Sequence, residues 1–210
     1  MRVETEKEFK FQLREKEFFK LKKYIDDSGY KKIEVLNQTN FYIDTEELAL
    51  RSAGTTLRIR HFIDTNTFEF TAKIRKDTGE EDNELKIKEE ITVDLPKKYA
   101  EDILNNNRIK EYLYLFEEKS ELFNSENIRN RLVILGSLST ERSNYFINEE
   151  TMISFDKSNY LGVEDYEIEL ETKNIDEDRE FLKKIFEENE IEVFEENKSK
   201  VKRFIEILRK

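Results

Sequence analysis

The charged side chains of this sequence fall into same-sign runs at a spacing of two. Glu4, Glu6 and Glu8 alternate ahead of Lys10, and Glu167, Glu169 and Glu171 alternate again near the C-terminus. Arg58 and Arg60 form a basic run, Lys86 and Lys88 another with Glu90 at the same parity, and Glu69, Thr71 and Lys73 lie between them. Successive residues of a strand point to opposite faces, so each set shares one face if its segment is extended. Three glutamates in a row on one face repel one another unless cations neutralise them. Carboxylate oxygens suit hard divalent cations such as Mg²⁺ or Mn²⁺, while Arg and Lys suit the oxygens of a polyanionic phosphate chain. Neither a Walker-type nor a Rossmann-type glycine spacing occurs, so any phosphate must be held by side chains.

Composition narrows the chemistry further. The 210 residues contain no cysteine and one histidine, His61, which excludes disulfides, thiolate zinc and histidine clusters and speaks against a Ser-His triad. Any metal is therefore expected to be held by oxygen. The length fits a single domain, 1–210, and 16 Phe with 9 Tyr supply core despite 40% charged residues. A net charge of -11 argues against a general nucleic-acid partner. The N-terminal MRVETEKEFK lacks an apolar signal core and no run is long enough to cross a bilayer. The expectation is a soluble cytoplasmic protein without a membrane partner, monomeric or homodimeric.

The elements that must position these residues are legible as periodicities. Residues 3–11 alternate as a strand, after which Leu13, Phe18, Leu21 and Ile25 recur at roughly helical spacing up to Gly29, placed as a helix-ending glycine. Strands are predicted at Thr39–Asp44, Thr56–His61, Phe68–Ile74 and Leu85–Asp94, with a polar turn over Lys76–Asp82 carrying Gly79. Residues 97–130 lose the alternation and read as helical. Strands resume at Arg131–Leu138, Thr140–Ile147, Met152–Asp156 and Tyr166–Glu171, and helices follow near Asp176–Asn189 and Ser199–Leu208. Eight or nine antiparallel-looking strands suggest a barrel or strongly curved sheet.

In each strand the charged set opposes an apolar one: Phe9 and Phe11, Leu57 and Ile59, Phe70 and Ala72, Ile168 and Leu170. A charged face is either the solvated side of a one-sided sheet or the inner wall of a closed barrel. The helices need a partner for their apolar faces, and the outside of a barrel supplies one while leaving a hydrated, charge-lined tunnel. His61 has the opposite orientation to Arg60 and is expected on the outer face. Tyr42 and Asp44 share a face with Asn40, where they either shape a tunnel mouth or serve turn and packing roles.

Glu6-Lys7-Glu8-Phe9-Lys10 fits a Glu-x-Glu-x-Lys signature. In order along the chain follow Asn40 to Thr45, Leu57-Arg58-Ile59-Arg60, Thr71-Ala72-Lys73, Lys88-Glu89-Glu90, Glu141-Arg142, Phe155-Asp156, Tyr166-Glu167-Ile168-Glu169 and Ser199-Lys200. In this order of motifs the chain resembles, over nearly its whole length, the CYTH superfamily of triphosphate tunnel metalloenzymes, which includes inorganic and thiamine triphosphatases, class IV adenylate cyclases and fungal RNA triphosphatases. The resemblance implies an α+β fold, an eight-stranded antiparallel β-barrel with surrounding helices. It also implies that Glu6, Glu8, Glu167 and Glu169 act in catalysis, as metal ligands or by orienting the attacking water. Asp156, Glu171 and Glu90 join the acidic, metal-binding set, with Glu89 an alternative to Glu90. Lys10, Arg58, Arg60, Lys73, Arg142 and Lys200 grip the phosphates, with Lys198 and Lys202 flanking Lys200. The implied reaction is hydrolysis of a small-molecule triphosphate, inorganic triphosphate first, with Mg²⁺ or Mn²⁺ as cofactor. The alternatives are a cyclase making cyclic AMP from ATP and a non-catalytic polyphosphate- or nucleotide-binding module.

Overall fold

The computed structural model describes residues 1–75, 85–194 and 198–210; the turn expected over Lys76–Asp82 lies outside them, Gly79 included. Eight strands are β1 (Arg2–Leu13), β2 (Lys31–Thr45), β3 (Thr55–Phe62), β4 (Thr67–Arg75), β5 (Leu85–Leu95), β6 (Leu132–Phe146), β7 (Met152–Tyr160) and β8 (Val163–Glu171). They close an antiparallel barrel in the order β1-β5-β4-β3-β2-β6-β7-β8. The helices are α1 (Glu15–Asp27), α2 (Ala49–Ser52), α3 (Lys97–Asn106), α4 (Glu126–Arg129), α5 (Ile175–Glu188) and α6 (Lys200–Leu208). The two strands expected between 131 and 147 are one continuous strand, β6. The helical stretch after 106 is broken into 3-10 turns at Ile109–Leu115 and Glu121–Phe123 ahead of α4. Asn107 explains the first break: it caps α3 in the left-handed conformation at φ 53°.

Contacts divide the chain into two compact units. One comprises Met1–Thr5, Gln38–Asp77 and Lys88–Leu138; the other comprises Glu6–Asn37, Thr78–Ile87 and Ser139–Lys210. In the first, Leu57 and Ile59 of β3, Phe70 and Ala72 of β4 and Ile91 of β5 form the apolar face. It packs against Ala100 and Ile103 of α3 and the 3-10 residues Leu113, Phe116 and Phe123, with Phe70 and Phe116 edge to face at 4.8 Å. In the second, Phe9 and Phe11 of β1, Ile153 and Phe155 of β7 and Ile168 and Leu170 of β8 meet Phe18, Leu21 and Ile25 of α1 and Leu182 and Ile185 of α5. Burying side chains of this size contributes roughly 1.5–3 kcal/mol each. α3 in the first unit and α1 and α5 in the second take the apolar side of the strands, so the charged side is the inner face of the barrel.

Local chemistry explains the helix ends. Glu15 and Glu17 in the first turn of α1 favour its positive pole. At its end Ser28 N–H donates to the Tyr24 carbonyl, and Gly29 turns the chain away at φ 75°, where a side chain is strained. The short helix α2 depends on Asp44, whose carboxylate accepts the backbone N–H groups of Thr45 (2.7 Å), Leu50 (2.8 Å) and Arg51 (2.9 Å). Of the two roles open to Asp44, the turn is the one it fills. Asp44→Ala strands the buried Leu50 N–H and is expected to cost about 1–3 kcal/mol of unfolding free energy. Urea denaturation checks this, and a change under about 0.5 kcal/mol, the scatter of neutral surface substitutions, refutes the capping role.

Candidate functional site

Strand register decides which charged residues meet. Across β1 and β8, Lys10 lies opposite Glu169 and Glu8 opposite Glu171; across β6 and β7, Arg142 lies opposite Asp156; across β7 and β8, Asp156 lies opposite Glu167. Opposed residues share a face, so these groups converge on the polar side of the second unit while Phe9, Phe155, Ile168 and Leu170 hold the other side in the core. One oxygen each from Asp156, Glu167 and Glu169 lies within 4.8 Å of the other two, and all three residues are buried. Among the described residues Glu6, Glu8, Glu90 and Glu171 are not part of this group.

Cations from three elements sit on these carboxylates. Arg142 forks onto Asp156 with Nε–Oδ1 at 2.7 Å and Nη2–Oδ2 at 2.6 Å, and its Nη2 also donates to Glu169 Oε2 at 2.5 Å. Lys10 Nζ donates to Glu169 Oε1 at 2.8 Å and lies 3.1 Å from Glu8 Oε1. Lys200, the first residue of α6, places Nζ against Asp156 Oδ2 and 3.0 Å from both Glu167 Oε1 and Glu169 Oε1. Of the neighbouring lysines, Lys198 donates to Glu206, and Lys200 reaches the buried carboxylates. Bidentate Arg-carboxylate geometry is among the strongest hydrogen bonding a protein makes.

Burial opposes ionisation of Asp156, but Arg142 and Lys200 outweigh it and hold the carboxyl below its ordinary value. Burial likewise opposes ionisation of Glu169, and Arg142, Lys10 and Lys200 hold it well below. At Glu167 burial wins over Lys200, Arg203 and Lys10, and the pKa is raised. Lys10 and Lys200 are raised despite burial by the carboxylates around them. Glu171, exposed at the end of β8, is raised by loss of solvation and then by Glu6, which also acts on Lys10.

The first unit carries a basic counterpart. Lys73 opposes Glu90 across β4 and β5, with Nζ–Oε2 at 2.5 Å, whereas Glu89 opposes Ile74 and points to the other face. Of the two, register puts Glu90 on the face of Lys73. Burial would raise Glu90, but Lys73, Arg58 and Arg60 pull its pKa far down. Arg58 lies 3.9 Å from Glu90, and Arg60 donates from Nε to Asn40 Oδ1 at 3.3 Å. His61 stacks on Phe68 at 4.1 Å and meets Asn66 at 3.0 Å.

Asp156, Glu169 and Glu90 ionise more readily in the folded chain than in the unfolded one, whose carboxyls take up protons near pH 4. Their contribution to stability is therefore present above that pH and is lost as pH falls through the folded values. Glu167 works in the opposite direction and offsets part of the loss. The urea midpoint of the metal-free protein is expected to fall from about pH 5 downward. A midpoint constant from pH 7 to pH 3 contradicts the depressed values.

Sequence reasoning missed Arg203 and Asp165. Arg203 Nε donates to Asp165 Oδ2 at 2.6 Å and its Nη2 to Glu167 Oε2 at 2.9 Å. Their signals were present: Asp165 continues the parity of Glu167 and Glu169, and Arg203 lies one helical turn beyond Lys200.

Among the described residues several buried charged atoms have no hydrogen-bond partner: both oxygens of Glu8, Oε1 of Glu167, and Nε and Nη2 of Arg58. Glu8 Oε1 and Glu167 Oε1 have a lysine nitrogen within ion-pair reach but out of hydrogen-bond alignment. Buried polar groups are almost always satisfied, so left-over acceptors and donors of this kind call for a partner such as water, an ion or a ligand.

A model of the CYTH domain family matches residues 4–205. A Bacillus subtilis protein named as a candidate triphosphatase, YjbK, is 29% identical over 210 residues, covering 100% of this chain and 99% of its own. A solved Bacillus halodurans protein described as a candidate adenylate cyclase is similar with a TM-score of 0.73 and 25% identity, over 97% of this chain and 99% of that one. A Hippeastrum protein, described as a candidate adenylyl cyclase with a dominant triphosphatase activity, shares the fold at a TM-score of 0.78 and 22% identity, over 96% of this chain and 95% of that one.

Proposed function

Because the chain belongs to the CYTH domain family, we propose that it is a metal-dependent hydrolase of a small triphosphate compound, with inorganic triphosphate as its first substrate. Residues 1–210 are taken as one domain, and the family match runs through both compact units. The observation that carries this reading lies in the second unit, where unsatisfied buried acceptors on Glu8 and Glu167 stand beside Lys10, Arg142 and Lys200. Acceptors and cations side by side suit a ligand that is anionic and brings cations with it. The name of the B. subtilis relative points the same way.

Asp156, Glu167 and Glu169 fit a hard divalent ion such as Mg²⁺ or Mn²⁺. The donors are all oxygen, they converge, and the Lys200 ammonium already stands among them as a cation. A metal held there would neutralise charge on the phosphate and acidify the attacking water. Glu6, Glu8 and Glu171 form the remaining acidic wall, and Glu8, with both oxygens unbonded, is suited to orient the water and take its proton. In the first unit Arg58, Arg60 and Lys73 are suited to bind and align phosphate oxygens, with Glu90 holding Lys73 in place. Lys10, Arg142 and Lys200 supply the rest of the phosphate grip. Attack in line with the leaving phosphate needs no covalent intermediate.

A second reading, cyclisation of ATP, is favoured by the description of the B. halodurans protein. Incubation with inorganic triphosphate, ATP and thiamine triphosphate, each under Mg²⁺ and Mn²⁺, separates the two. The expected result is orthophosphate from inorganic triphosphate at the highest kcat/KM and no cyclic AMP. Cyclic AMP as the main product replaces the hydrolase with the cyclase, and saturable binding without any product leaves a binding module.

A further inference from the structure

We infer that Arg203 is a positioning residue for the metal site, fixing Glu167 as a one-oxygen donor whose Oε1 is presented to the bound cation. This inference rests on the reading of Asp156, Glu167 and Glu169 as the metal-holding group. Arg203 lies in α6, 7% exposed, and its guanidinium is spent in three directions. Nε goes to Asp165 Oδ2, Nη2 to Glu167 Oε2, and Nη1 to the backbone carbonyl of Lys198. A guanidinium is planar, so fixing it at Asp165 and at the Lys198 carbonyl leaves Nη2 one place to point. Asp165 is itself anchored, accepting from the Tyr160 hydroxyl on Oδ2 at 2.8 Å and from Gln12 Nε2 on Oδ1 at 3.2 Å.

The consequence falls on Glu167. With Oε2 occupied by Arg203, the carboxylate cannot turn both oxygens toward a cation. Oε1 is the oxygen left without a hydrogen bond, and it faces the Lys200 ammonium at 3.0 Å. A buried carboxylate with a free oxygen and no such clamp would rotate to find a donor. The clamp thus keeps one acceptor in reserve. Groups of this kind, which bind a ligand's far oxygen and never the metal, typically change metal affinity about 10- to 100-fold when removed. Asp165 and Tyr160 continue the same chain of support behind Arg203.

A purely structural role, pinning α6 to the barrel wall, predicts a different outcome, and calorimetric Mn²⁺ titration of the substrate-free protein distinguishes them. The unaltered protein is expected to bind Mn²⁺. Arg203→Met is expected to bind it about 10- to 100-fold more weakly, with Arg203→Lys recovering part of the loss and the Mn²⁺-induced rise in melting temperature shrinking in step. Asp165→Asn keeps the guanidinium but loosens its anchor, so it is expected to weaken Mn²⁺ several-fold; it serves as the deciding variant if Arg203→Met does not fold. An unchanged Mn²⁺ dissociation constant in the folded variants overturns the positioning role and leaves the metal reading standing. Absence of Mn²⁺ binding by the unaltered protein overturns both.

Discussion

Replacing Glu169 by Gln lowers metal-dependent turnover by at least about 100-fold, the scale set by losing one preorganised electrostatic contact at a reaction centre, while the protein stays folded. Three cations converge on Glu169: Lys10 and Lys200 reach Oε1, and Arg142 reaches Oε2. Gln preserves the volume and one acceptor oxygen, so packing against the neighbouring strands survives. It removes the negative charge and sets an amide N–H₂ against side chains that can only donate. A cation held there would lose one of three converging negative charges, and Lys10, Arg142 and Lys200 would lose the counter-charge they share. Because both the cation and the phosphate grip are disturbed, kcat and kcat/KM are expected to fall together. Steady-state orthophosphate release, with circular dichroism to confirm the fold, measures it. Activity within about 3-fold of the unaltered protein removes Glu169 from the site.

Arg142→Met is expected to destabilise the metal-free protein by about 3–5 kcal/mol, the usual cost of breaking a buried ion pair from one side. The pair is not expected to be a net source of stability, since desolvating its members consumes most of what their attraction returns. The loss arises because Asp156, fully buried, is left with one fewer counter-charge. Divalent ions should reverse part of it: a cation that binds the folded form alone adds about 2.7 kcal/mol at a concentration 100 times its dissociation constant. Urea denaturation in chelator and in Mn²⁺ tests both halves. If the variant matches the unaltered protein in chelator, the bidentate pair contributes nothing. If Mn²⁺ stabilises neither protein, these carboxylates are not metal ligands.

The pleat was the part of the fold written most plainly in the sequence. Alternation in β1, β3, β4, β5 and β8 assigned Glu8, Lys10, Arg58, Lys73, Glu90, Glu167 and Glu169 to one face each, because a strand's two faces differ by a single step of register. Which strands neighbour one another is a non-local property, and it decided what alternation left open. Glu90, and not Glu89, stands opposite Lys73, and Lys200 reaches Glu167 across a sequence separation that no spacing rule connects. The boundary between Arg131–Leu138 and Thr140–Ile147 was misplaced: β6 runs through unbroken, because Ser139 lies within its ladder opposite Asn159. The stretch from 107 to 131 resisted periodic reading because its apolar residues belong to short turns, each packed on the core of its own unit. The pairing of Arg142 and Lys200 with carboxylates was likewise invisible, since spacing along a chain says which groups share a face and nothing about which of them touch. Arg203 escaped for the same reason: its partners lie on β8, 36 and 38 residues away in sequence.

Orthophosphate release from inorganic triphosphate by the unaltered protein, followed against free Mn²⁺ and Mg²⁺ with a chelator blank, bears most directly on the proposed chemistry. Hydrolysis is predicted to be absent in chelator and to rise to saturation with either ion. Release at the same rate in chelator, or triphosphate bound without release at any metal concentration, contradicts it.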